Sequence, residues 1–133
     1  MDKQKHLEFI QGVINRMANC SFLLKGWAIT IMGAIFALAA KDANLRFIII
    51  SYIVLPFFWL LDAFYLSKEK QYRALYDTVR IKEEKDIDYS LDTKDFDSGR
   101  NTWFHSFFSK TLNIFYIPLF IITLIIMFIF PNA

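Results

Sequence analysis

The chain has 133 residues, 56% of them hydrophobic and 18% aromatic, too apolar for an ordinary soluble domain of this size to cover its surface with polar groups. A net charge of only +2 lends no support to nucleic-acid binding. The length permits one domain, and the single Cys20 excludes an intrachain disulfide and reads as a small buried or interfacial side chain rather than a redox centre.

Residues 1–20 open the chain with Leu7, Ile10, Ile14 and Met17 at helical spacing and Val13 beside them. Lys5, Glu8, Asn15, Arg16 and Asn19 fall on the other side, so this stretch is expected to be an amphipathic helix. The polar start ahead of the first apolar run resembles a signal anchor more than a removable leader. No proline separates this helix from the first apolar run, so the two can continue as one.

The first span is expected over residues 21–40, "SFLLKGWAITIMGAIFALAA", interrupted only by Lys25. Its length matches the roughly 20 residues needed to cross a hydrocarbon core of ~30 Å. Gly26, Thr30, Gly33, Ala37 and Ala40 recur at alternating spacings of four and three, which puts small side chains along one face. Such a strip lets helix backbones approach closely in lipid. It fits either the second span or another copy of the chain as partner.

The second span is expected over residues 45–66, with Arg46 at its start, Pro56 inside it and Asp62 four positions before its end. A proline within a membrane helix kinks it more often than it ends it. With the helices antiparallel, Lys25 and Asp62 both fall roughly 6 Å inside the same boundary, at about 1.5 Å per residue. An ion pair accounts for both charges. The alternatives are independent snorkelling of each side chain to the interface, and an ion-conducting or gating role.

After the second span the charged stretch "SKEKQYRALYDTVRIKEEKD" keeps a helical stripe of Tyr72, Leu75, Tyr76 and Val79, flanked by Glu69–Arg73 and Asp77–Arg80 pairs. The span is therefore expected to continue as a helix and to pack this stripe on the N-terminal one, forming a short stem. A dedicated ligand pocket there is the second reading. Asp86, Asp88, Ser90 and Asp92 invite comparison with a calcium loop, but position six is Leu91 instead of glycine and position twelve is Asp97 instead of glutamate. A solvated acidic linker is the expectation. Trp103, Phe104, Phe107 and Phe108 with Lys110 then read as an interfacial anchor, with His105 as a polar group at headgroup level and no second metal ligand spaced near it.

The third span is expected over residues 111–130, uncharged and with Pro118 inside it, followed by a short tail to residue 133. Basic residues set the orientation. The N-terminal side and residues 67–110 together carry thirteen Lys and Arg, and the other side carries only Lys41 and Arg46. The N-terminus and residues 67–110 are therefore expected in the cytoplasm and the C-terminus outside. The fold class is an all-α membrane protein of three transmembrane helices, a hairpin over residues 21–66 plus the third span, with helical extensions beyond the first two.

No phosphate-binding glycine loop, paired His ligands or nucleophile elbow is present in the sequence, so neither an enzyme nor a cofactor is expected. The runs "NCSFLLKGWAITIMGAIFALAAKDAN", "WLLDAFYLSKEKQYRALYDTVR" and "WFHSFFSKTLNIFYIPL" resemble small bacterial multi-pass proteins in the style of the SLATT class of defence-associated membrane effectors, with three spans where that class has two. The resemblance implies an inner-membrane homo-oligomer that compromises the bilayer once a nucleotide second messenger or a cytoplasmic signalling protein activates it. The other function class is a non-conducting scaffold that recruits a cytoplasmic partner through residues 67–100.

Overall fold

The computed structural model describes residues 2–42 and 45–129. Among them every regular element is helical. Three helices are long and apolar enough to cross a membrane, and helices satisfy their own backbone hydrogen bonds, which lipid cannot do for them. The last expected position of the third span, Phe130, and the C-terminal tail lie outside the described residues.

The first helix, α1, is one uninterrupted element over Lys3–Asp42, about 60 Å long at 1.5 Å per residue. The amphipathic N-terminal stretch and the first span are thus the same helix. The second, α2, runs Leu45–Arg80, through Pro56 and on beyond the apolar stretch. A short helix α3, Trp103–Phe107, is capped by the Thr102 side chain, which accepts from the His105 amide. It leads into α4, Lys110–Ile129, which continues through Pro118.

Helices α1 and α2 pack antiparallel along their whole length. Along the span, α1 buries Ser21, Ala28, Met32, Ile35 and Ala39. Together with half-buried Lys25 these positions alternate by four and three, the spacing that keeps one seam facing a neighbouring helix. Its core partners on α2 include Leu55, Trp59 and Ala63. Beyond the spans the same two helices form a stem, where Ile10 and Ile14 meet Leu75 and Val79, with Leu7, Tyr72 and Tyr76 packed around them. Lys5, Glu8, Asn15, Arg16 and Asn19 all face outward.

Helix α4 lies antiparallel on α2. Leu112 and Tyr116 are buried against Trp59, and Phe120 approaches the same indole at 5.7 Å. Further along, the Tyr52 hydroxyl donates to Met127 Sδ at 3.4 Å.

The segment between α2 and α3 differs from the expected solvated linker. It forms three single 3-10 turns at Glu84–Asp86, Lys94–Phe96 and Gly99–Asn101 and lies back along the stem as a strap. Ile87 joins the apolar stem cluster, Tyr89 and Phe96 pack against it, and Thr93 is buried. The acidic side chains between them remain exposed, which is why the composition reads as solvated while the apolar minority is not.

Candidate functional site

The arrangement that departs most from ordinary apolar packing centres on Asp62, fully buried in the second span. A lone carboxylate there would be expensive to desolvate. It is surrounded by three donors from the other two long helices. From α1, the Ser21 hydroxyl donates to Oδ1, and Lys25 Nζ lies 2.6 Å from Oδ2. From α4, the Tyr116 hydroxyl donates to Oδ2 at 3.0 Å. Lys25 also donates to Ser21 Oγ at 2.9 Å and stands over the Phe115 ring at 5.8 Å. Lys25 and Asp62 are thus brought together, and Ser21 and Tyr116 complete a polar node that ties the three long helices.

Aromatic rings seal the node on one side. Trp59, one turn before Asp62, stacks on Tyr116 at 5.5 Å and on Phe107 at 4.5 Å. Its indole N–H donates to the Phe107 carbonyl at 2.8 Å, and the Trp103 N–H donates to the Leu60 carbonyl at 3.2 Å. The expected interfacial segment therefore splits. Phe107 is packed inward, whereas Phe104, Phe108, Trp103 and His105 are exposed.

Chemically the node is closed. The ammonium and the carboxylate neutralise each other, and each carboxylate oxygen already accepts a hydrogen bond. Toward the far end of the spans, the buried polar side chains among the described residues are Ser51 and Thr123, and Thr123 donates to its own helix at Leu119. Among the described residues no continuous polar row runs along the three long helices.

The small-residue strip lies elsewhere. Gly26, Thr30, Gly33, Ala37 and Ala40 are all exposed, on the side of α1 turned away from the α2 seam. A Cβ added at Gly26 or Gly33 would meet nothing within 4 Å. Among the described residues the buried alanines are Ala28, Ala39 and Ala63, none of which belongs to the strip. At the strip's node end, Phe22, Leu23, Gly26, Trp27 and Thr30 line a shallow open recess of about 300 Å³.

The stem stripe is packed, with Leu75 and Val79 buried and Tyr72 and Tyr76 half-buried. Beside it, Gln71 is 3% exposed and forms a second polar hub. Its carboxamide oxygen accepts from Thr93 Oγ1 at 2.9 Å. Its nitrogen donates to Ser67 Oγ, the Asn101 carbonyl and Asp97 Oδ1. Asp88, Ser90 and Asp92 spend their oxygens on backbone amides two residues on, as local turns. No group of three or more His, Cys, Asp or Glu among the described residues is placed to hold a metal ion.

Sequence reasoning reached Lys25 and Asp62 through their shared depth, but missed Ser21, Tyr116 and Gln71. The only signal for them was their polarity at positions where an apolar residue would serve packing. No protein-family model, no curated protein and no solved structure matches the chain.

Proposed function

We propose that this chain is a self-associating inner-membrane protein that makes the bilayer leaky when a cytoplasmic signal or partner acts on its stem. The observation that carries the reading is the exposure of the whole Gly26–Thr30–Gly33–Ala37–Ala40 strip, which packing within one copy leaves unused. Small residues on an outward face are where membrane helices approach one another closely. Homo-oligomers formed along this strip bring several copies of α1 together. The closed Lys25–Asp62–Tyr116 node then acts as a latch: while it holds, each copy is sealed, and its rearrangement changes how the three spans pack. Only a modest preference of the partner for one packing is needed to shift the balance.

In this reading the stem and residues 67–110 face the cytoplasm, the side that the distribution of Lys and Arg favours. The experiment is to express the protein in bacteria, alone and with its genomic neighbours, while reading membrane potential with a dye and oligomer size by native mass spectrometry. Depolarisation accompanied by an oligomer supports the effector. A monomer that never alters the potential supports a non-conducting scaffold that recruits a partner through residues 67–100. The sealed node of the single copy is the feature that favours this second reading.

A further inference from the structure

The strap over residues 83–102 is held to the stem by an unusual set of contacts. From Glu83 to Asn101 its backbone–backbone hydrogen bonds are short turns within the strap itself, such as Asp86 to Glu83 and Phe96 to Thr93. Among the described residues none joins it to the backbone of α1 or α2. Side chains hold it instead: Ile87 and Phe96 against the stem cluster, Gln71 bonded to Thr93, Asp97 and Asn101, and the Glu84 carboxylate accepting from the Lys3 amide. Tyr89 meets the buried His6 ring edge-on at 5.2 Å, and does so with a backbone φ of 59°. That left-handed conformation is uncommon for a bulky residue.

Charge adds to the hold. Residues 83–102 carry seven acidic and three basic side chains, and the stem, residues 2–20 and 67–82, carries eight basic and four acidic. The two meet across a cleft of about 220 Å³, with Lys82 on the stem side and Asp88, Asp92 and Asp95 on the strap side. A segment with few buried apolar contacts and no backbone pairing to its support opens before the helices beneath it do.

We infer that the strap is a releasable clasp over the α1–α2 stem groove, and that an acidic protein segment with two apolar anchors displaces it by taking the places of Ile87 and Phe96. This inference rests on the reading of residues 67–100 as the surface that receives the signal. Release uncovers Ile10, Ile14, Leu75 and Val79 and frees the buried Gln71 carboxamide. It also slackens the link to the spans, because the strap runs directly into α3, whose Phe107 stacks on Trp59 beside the node.

The test is hydrogen exchange on the full chain in lipid nanodiscs. Strap amides are expected to exchange about 100-fold faster than those of residues 7–17 and 71–79, and faster again as salt rises and screens the charges. Gln71→Leu or Phe96→Ala is expected to accelerate the strap about tenfold further while the stem keeps its protection. A strap as protected as the stem overturns the clasp. The second probe is a labelled synthetic peptide of residues 83–102. It is expected to bind Phe96→Ala more tightly than the unaltered protein, because the tethered strap has lost an anchor that the peptide keeps. It is expected not to bind a Cys20→Ser protein whose strap is closed by a short thiol crosslinker between Gln71→Cys and Thr93→Cys. A fast-exchanging strap with no peptide binding to Phe96→Ala overturns the acidic partner. Neither readout involves membrane potential, so failure of the effector reading shows separately.

Discussion

Lys25 and Asp62, 37 residues apart in sequence, meet at 2.6 Å, and the two differ in their access to solvent: the lysine side chain is 19% exposed and the aspartate 0%. That difference gives the pair a direction. Asp62 depends on its partners, whereas Lys25 has a route by which its long side chain can reach the polar boundary.

Lys25→Met is therefore expected to destabilise the protein more than Asp62→Asn. The first leaves a buried carboxylate without its counter-ion, a loss of about 3–5 kcal/mol. The second leaves an ammonium that can turn outward. The double variant is expected to regain much of the larger loss. Thermal unfolding in mild detergent checks this, and strictly additive losses would mean that the two side chains do not interact.

Tyr116→Phe keeps the ring stacked on Trp59 and removes only the hydroxyl that donates to Asp62. The expected loss is about 1.5–3 kcal/mol, the range for a hydrogen bond to a charged group, since Oδ2 keeps its contact with Lys25. Trp59→Ala is expected to cost more, about 3–5 kcal/mol, because it removes the surface on which both Phe107 and Tyr116 stack. Equal melting temperatures for Tyr116→Phe and the unaltered protein would remove the third span from the latch.

The stem is expected to depend on its apolar seam. Ile14→Ala should lower stability by about 2–5 kcal/mol, since Ile14 is 1% exposed within the stem cluster. The exposed neighbour Asn15→Ala should leave stability within about 0.5 kcal/mol. Matching losses at the two positions would show that the stem is not packed in solution.

These residues also show what the sequence can reveal. The spans, the paired depth of Lys25 and Asp62, and the two stem stripes come from local periodicity and crossing direction. Tyr116 does not, because its meeting with Asp62 depends on how α4 is shifted and rotated against α2, which no local pattern encodes. Nor did the packing of Ile87 and Phe96 on the stem announce itself, since isolated apolar residues in an acidic run carry no period. Helix α1 offers two faces with the same four-three rhythm, one from Ser21 to Ala39 and one from Gly26 to Ala40. Only the structure distinguishes the face that packs on α2 from the one left outside.

Orientation is open to a direct check. A reporter active only in the periplasm is expected to be active when fused after residue 133 and silent when fused at Ser90. Activity at Ser90 would invert the topology and place the stem outside the cell.

The central claim is that the exposed strip on α1 joins copies of the chain. Gly33→Leu tests it most directly, because a Cβ at Gly33 meets nothing within one copy and the variant should therefore insert and fold normally. Native mass spectrometry of protein extracted in mild detergent is the measurement. The prediction is an oligomer for the unaltered chain and a folded monomer for Gly33→Leu, with depolarisation of expressing cells lost in parallel. An oligomer of unchanged size in Gly33→Leu, or a monomer in the unaltered chain, would contradict the claim.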